Sequence, residues 1–521
     1  MLNSFKKYVL MGFCLISISL FANIDVSKNR KNSKKDTLLF STPAQVDEAL
    51  GLYFSEDSLF TPEQMQEDFR FFYEKIVETH PNPYHVISKD SLDRKVQDIL
   101  KSLDKPMNRR EFWLKTASIN TYFDAHTNIE DIKEMYEYYE KNTKHILPEN
   151  LVMLDSLENM YFTSVCENSS LSGKYIKSIN GIPAKQIVDK ISVYYSKENP
   201  NYTPLLFADN FCLFFANVFG ITDTFLFEYI KNDTETDFYT FPFQESSIDT
   251  TRTTETEQET EWKPIRCHIY EEYGIALIEL NTFYAGLLGE HYREDLEKIM
   301  SDITEKNIKH LFIDISANGG GNTINALEIL NFIKTKENGF QEGSSEIRIT
   351  QNYRAFANYF EFDRYPLRIK LFSKKYKQVY KQIYKSPIDS FITRDFYWTK
   401  NNAKIQYDKN VYLIQSTSGT HSASVDIASI VKFYKLAIII GEETGGLTAC
   451  YINPMYFLMP NTSILFRCSV QKSITVGGAM DGRGVIPDVE YKIENPYKRF
   501  TLEQLKEMLQ LIEEYKAQMN K

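Results

Sequence analysis

The sequence predicts an α/β core preceded by a helical N-terminal segment and a small α+β module, and three observations carry that reading. Beyond residue 262, short apolar runs of strand length ("GIALIEL", "HLFIDIS", "VYLIQ", "LAIIIGEETGG") alternate with amphipathic runs of helix length. That is the order of βαβ units on a mainly parallel sheet. Before residue 125 the apolar residues recur at helical spacing. At "GKYIKSINGIPAKQIVDKI" the period switches from strand to helix across an Asn180-Gly181 turn signal.

Composition bounds what such a chain does. Its 521 residues are enough for about three domains and a large core, with 43% hydrophobic and 25% charged residues. A net charge of −10 argues against nucleic acid as a partner. The N-terminal Lys6 and Lys7, the apolar stretch Tyr8 to Phe21 and small Ala22 read as a signal peptide over 1–22. The stretch is too short to span a bilayer, so no stable membrane insertion and an extracytoplasmic, periplasmic or secreted location are expected. Cys14 follows bulky Phe13, which is unlike a lipidation site. Cys166, Cys212, Cys267, Cys450 and Cys468 are odd in number and widely spaced, and imply no disulfide framework. There is no CxxC or HExxH, and the His80 to His85 pair lies in a proline-broken loop, so neither a metal nor a cofactor is expected.

The elements follow in order. Thr61-Pro62-Glu63-Gln64 is a capping box, followed by Met65, Phe69, Phe72 and Ile76 on one helix face. A second stripe runs Leu92, Val96, Ile99, Leu103, and a third Phe112, Thr116, Ile119, Phe123, ending at "YFDAHTNIE". These make a helical domain over 23–150, followed by the α+β module at 151–245 and a Thr/Glu-rich polar linker at 246–262 that cannot bury apolar surface. The core occupies 263–495, with an aromatic, lysine-rich insert at about 340–410, and a last amphipathic helix carries Leu505, Met508, Leu509 and Ile512 within 496–521.

Two turns in the core invite chemistry. In "TSGTHSASVDIASIV" a strand ends near Gln415 and a helix begins at Ala423, so Ser422 sits at the helix entry beside the unsatisfied N–H of Ala423. It is either an ordinary N-cap or a nucleophile. In "SANGGGN" the glycines Gly319, Gly320 and Gly321 follow a strand without the spacing of a nucleotide-binding loop; they form either a flexible turn or a set of N–H groups aimed at an oxyanion.

Together these segments resemble the C-terminal processing, or tail-specific, serine peptidases. "FIDISANGGGN", "HSASVDIASIV", "IIIGEETGG" and "GRGVIPDVEY" are similar to four motifs of that family in the right order, covering roughly Gly274 to Tyr491. The resemblance implies a ClpP/crotonase-like peptidase core, and its Ser-Ala-Ser pattern makes Ser422 the nucleophile. The best-known branch carries a lysine 25 residues later, where this chain has Leu447, and Lys432 and Lys472 match no family position. "FDAHT" and the "TGG" ending instead resemble the tricorn-core and interphotoreceptor-retinoid-binding-protein-like branch. That likeness implies His126 as the base and Asp481, three residues before Gly484, as its orienter; the plain alternative for Asp481 is an Asp-Gly turn. Ala423 with Gly319, Gly320 or Gly321 would hold the oxyanion. The module at 151–245 resembles the second half of a PDZ-like domain, without its carboxylate-binding loop.

The expectation is therefore a secreted serine endopeptidase that hydrolyses peptide bonds of a peptide or protein substrate by a Ser-His-acid mechanism. The rival from another class is a catalytically inactive relative that binds peptide or lipid. A third reading is an amide or ester hydrolase acting on small acyl substrates.

Overall fold

Among the described residues, each of the first four helices begins at a side chain that accepts the N–H three residues on: Thr42 for α1 (Pro43–Gly51), Thr61 for α2 (Pro62–Thr79), Ser88 for α3 (Lys89–Ser102) and Asn108 for α4 (Arg109–Thr116). The capping box at Thr61 is complete, since Gln64 returns the bond to the Thr61 N–H. The computed structural model describes residues 40–519, apart from 143–150, 156, 164–168, 221–223, 233–234, 242–261, 336–338, 364 and 400–402. The apolar N-terminal stretch 1–22, Cys166 and nearly all of the polar run 246–262 lie outside the described residues.

After α4 the chain tightens into a 3₁₀ turn, Ala117–Tyr122, and then forms a strand of two residues, β1 (Asn128–Ile129). Helix α5 (Lys133–Asn142) and the hairpin β2 (Val152–Leu154) with β3 (Met160–Phe162) follow. The α+β module comprises β4 (Ile176–Ile179), β5 (Ile182–Pro183), α6 (Ala184–Ile191), α7 (Thr203–Phe219), β6 (Leu226–Asn232) and β7 (Glu235–Thr240), with sheet order β5-β4-β6-β7. Its Asn-Gly turn takes positive φ at both residues, 51° at Asn180 and 77° at Gly181, the geometry this dipeptide is chosen for.

The core then runs β8 (Ile265–Tyr270), β9 (Ile275–Leu280), α8 (Tyr292–Glu305), β10 (His310–Asp314), α9 (Thr323–Leu327), β11 (Gly339–Arg348) and α10 (Gln351–Ala357). It continues with α11 (Leu367–Phe372), α12 (Lys374–Lys385), β12 (Phe391–Thr399), β13 (Asn410–Gln415), α13 (Ala423–Tyr434), β14 (Ile438–Gly441), β15 (Ala449–Leu458), β16 (Leu465–Thr475), β17 (Val489–Glu490) and α14 (Leu502–Met519).

Two sheets organise these elements. The first has the order β17-β14-β13-β10-β9-β8 and is parallel except for the β8–β9 edge. Every residue of β9 is buried, as expected of a strand covered on both faces. One face packs Leu296, Met300, Leu327, Ile427 and Ile430, and the other packs Leu505, Met508 and Ile512 of α14. The second sheet is antiparallel, with order β1-β16-β11-β12 and β15 on β16. The lysine-rich stretch at 340–410 thus supplies two of its strands. A single hydrophobic cluster joins this sheet to the N-terminal helices, with Phe72 set edge-on against both Phe123 and Phe466. Because β1 pairs with Arg467 and Phe466 of β16, the end of the helical segment is stitched into the core.

Candidate active site

The carboxyl ends of β10, β13 and β14 point to one edge of the parallel sheet, where open α/β folds bind ligands. The three turns that leave them are 315–322, 416–422 and 442–448, and they interlock. His421 donates its N–H to Asn318 O at 3.2 Å, Gly446 donates to Thr420 O at 2.9 Å, and Ser416 Oγ donates to Ser316 O at 2.6 Å.

Ser422 is the conspicuous residue. It has φ 53° and ψ −123°, a conformation that costs a non-glycine residue about 1–3 kcal/mol, and its side chain makes no capping bond to α13. The N-cap alternative is therefore not what the serine does. A strained serine on a sharp turn from strand to helix is how a nucleophile elbow holds its Oγ clear of the sheet. Ser422 is exposed, whereas Ser424 is fully buried and Ser429 is buried and bonded to Thr475 Oγ1 at 2.9 Å.

The glycine turn lies against this serine. A Cβ placed on Gly320 would stand 2.6 Å from Ser422 Cβ, 2.7 Å from His421 O and 3.0 Å from Ala423 N, so no larger residue fits there, and its φ of 103° suits glycine alone. The Gly320 N–H donates to Asn318 Oδ1 at 2.9 Å, so this glycine contributes closeness and its N–H is already used. Behind the serine, Gly445 and Gly446 fill the same role: a Cβ on Gly446 would meet Val425 at 2.6 Å and Ser422 N at 3.1 Å.

His126 lies in the turn just before β1. Its backbone N–H donates to Asp124 Oδ1 at 2.9 Å within the loop, and Thr127 Oγ1 accepts the Ser469 N–H at 3.0 Å, which ties the loop to β16. Its ring lies near the backbone of Tyr451, and Nδ1 is buried without a partner. Burial, and next the nearby Arg467 guanidinium, push its pKa down to about 4 against the opposing pull of Asp124, so the imidazole is neutral at neutral pH. Asp124 is itself anchored on all sides. His80 Nδ1 accepts the Asn82 N–H, which leaves Nε2 as the donor to Asp124 Oδ2 at 2.8 Å, while Ser469 Oγ donates to Oδ1 at 2.8 Å. Burial, the largest single influence, raises the Asp124 pKa, but the His80 bond together with the attraction of His80, His126 and His85 outweighs it and holds the carboxyl below its ordinary range.

Asp481 sits on an exposed turn and accepts the Arg483 N–H at 3.0 Å, the geometry of an Asp-Gly turn. Among the described residues no hydrogen bond joins it to His126, and none joins His126 to Ser422. The three are connected through residues 198–200. Glu198 accepts the Ala125 N–H at 3.1 Å, Asn199 Nδ2 donates to Gly445 O at 2.6 Å, and Gly482 approaches Glu198 O and Pro200. Tyr202 then sets its ring edge-on to His421, 4.5 Å between centroids. On the other side, Gly446 touches the Ser422 N and Tyr451 borders His126, and those two residues are five apart, a reach of at most about 18 Å. Burial, with the charge of Asp124 adding, raises Glu198 to about 8. Glu198, Asn199 and Tyr202 lie in "KENPNYT", which has no motif; only tertiary packing brings them here.

The lysine alternatives are occupied elsewhere. Lys432 pairs with Asp488 at 2.5 Å and Lys472 faces Glu346 at 4.0 Å.

An exposed, strained serine at a helix N-terminus, packed on a triple-glycine turn, has the geometry of a nucleophile elbow. Residues 274–491 match the model of peptidase family S41, a family of serine-type peptidases. Comparison with curated protein sequences gives no match. Among solved structures, mature CPAF is 13% identical, with 82% of this chain and 92% of that one covered and a TM-score of 0.52. CPAF complexed with lactacystin gives 12%, 82%, 93% and 0.51. The photosystem II D1 C-terminal processing protease is 12% identical over 83% of this chain and 94% of its own, with a TM-score of 0.39.

Proposed function

We propose that the protein is an exported endopeptidase in which Ser422 attacks a peptide carbonyl, His126 takes the serine proton, and Asp481 orients the imidazole. The observation that carries this reading is the strained, uncapped and exposed conformation of Ser422 beside Gly320. The N–H of Ala423 at the start of α13 and that of Gly319 or Gly321 hold the oxyanion, where the helix N-terminus favours negative charge. His126, neutral near pH 7, is in the protonation state a general base needs, and its unpartnered Nδ1 is free to take up a new bond as the cleft closes on substrate. The shared contacts at 198–200 support a common cleft for the three groups.

A fluorophosphonate probe tests the assignment. The folded protein is labelled once, Ser422→Ala abolishes the label, and Ser418→Ala, Ser424→Ala and Ser429→Ala retain it. An unlabelled wild type would instead assign the fold to the inactive, ligand-binding kind.

A further inference from the structure

We propose that the helix pair α11–α12 is a docking surface for an anionic lipid bilayer. From Leu367 to Lys385 the chain carries seven lysines and arginines and no carboxylate, within a protein of net charge −10. On α12, Lys374, Lys377, Lys381 and Lys385 follow one another at three- and four-residue steps and share one face. The opposite face packs Tyr376, Val379 and Ile383 on the core. All four lysines are exposed, and among the described residues none of them enters an ion pair. Of the acidic groups near these helices, Asp389 is held by Arg348 at 2.7 Å, Glu342 faces Lys375, and Asp363 lies by Tyr376 and Tyr384.

The adjoining helix supplies the second half of the surface. On α11, Leu367 is 70% exposed, Leu371 51% and Phe372 77%. Ser373 joins the helices by accepting the Tyr376 N–H at 3.1 Å, so the apolar tip and the lysine stripe are held together.

Charge complementarity calls for an anionic occupant, and the exposed leucines and phenylalanine select its kind. An interfacial helix sinks such side chains to the boundary of the acyl chains while lysines meet the headgroups, and clusters of four to eight basic residues are what anionic lipid surfaces attract. No helix among the described residues is long and apolar enough to cross a membrane, so the association is peripheral. The helix pair lies outside the turns that form the peptidase site, and the proposal is independent of Ser422.

Vesicle co-sedimentation of the full chain tests it. The protein pellets with phosphatidylglycerol-containing vesicles and stays in solution with pure phosphatidylcholine. Salt near 1 M, where the screening length falls to about 3 Å, releases it. Combined Lys374→Glu, Lys377→Glu and Lys381→Glu lowers the partition coefficient at least tenfold, and Leu367→Ser with Phe372→Ser also lowers it, with melting temperature unchanged in both. In the otherwise intact protein, the emission of Phe372→Trp shifts to the blue with anionic vesicles and is quenched by brominated lipid. Equal pelleting with neutral vesicles, charge reversal without effect, or a Phe372→Trp signal that ignores vesicles would overturn the proposal. So would retention on polyglutamate that survives the Leu367 and Phe372 substitutions while vesicles are not bound, which would assign the lysines to an acidic protein.

Discussion

At Ser422 the backbone holds strain that the fold itself has no use for, and the two effects of the residue separate on substitution. Ser422→Ala lowers kcat by up to about 10⁶, the loss known for a serine nucleophile. Ser422→Gly abolishes turnover equally but relieves the positive φ, so its thermal midpoint rises, with a gain of about 1 kcal/mol; a lower midpoint would show the conformation to be unstrained. As the proposed base, His126 would set the acid limb of the pH profile. With its pKa pushed down to about 4, kcat/KM persists below the ordinary histidine value of 6.5 and is lost only as pH approaches 4, and an inflection above 6.5 in the free enzyme would remove His126 as the base. Glu198 acts on stability with its own sign. Its folded pKa of about 8 lies above the unfolded value, so the native state holds the extra proton and stability falls as pH rises from about 4.5 to 8. Glu198→Gln flattens that part of a stability-versus-pH curve.

At the scale of elements, the site is three turns packed on one another by glycine. Gly320→Ala brings a methyl group to 2.6 Å from Ser422 Cβ in a backbone region closed to alanine. The variant loses at least about 2 kcal/mol of stability and most of its activity, readable together by urea titration and by the labelling rate. Lys432→Met, which opens only the ion pair to Asp488, keeps most activity. These turns were legible in the sequence because strand, turn and helix follow one another within a few residues, and the glycines mark where the backbones touch. What the local pattern left open was whether Ser422 caps its helix, since a cap and an elbow have the same sequence and differ only in φ and ψ. The 198–202 strut left no trace, because its contacts are made by polar side chains in an irregular loop. In the stretch at 340–410 the strands β11 and β12 were hidden among aromatic and lysine-rich residues, although Ser386-Pro387-Ile388-Asp389-Ser390 marks the turn before β12.

In the whole molecule, the N-terminal helices and the second sheet form one packing unit. Arg109 is its buried tie: it pairs with Glu134 at 2.9 Å and donates to Thr462 O and Ser463 O in the β15–β16 turn. Asp68 holds the same turn through the Thr462 N–H at 2.8 Å and hydroxyl at 2.6 Å. Arg109→Ala leaves Glu134 buried beside fewer donors and costs about 3–5 kcal/mol. Because the β15–β16 hairpin also carries Tyr451 and the partner of β1, activity declines at temperatures where the wild type is still fully active, with the fluorophosphonate rate falling before the far-UV signal does.

The two-residue strand β1 has one more consequence, and it concerns time. The loop of His126 is held in place by β16, so the proposed base has no fixed address until residues past 465 exist. At a synthesis rate of about 5–20 residues per second, the gap of almost 300 residues between His126 and Ser422 takes about 15–60 s to complete. Throughout that interval the growing chain holds one half of the proposed pair without the other, and on that assignment it is silent while it is being made.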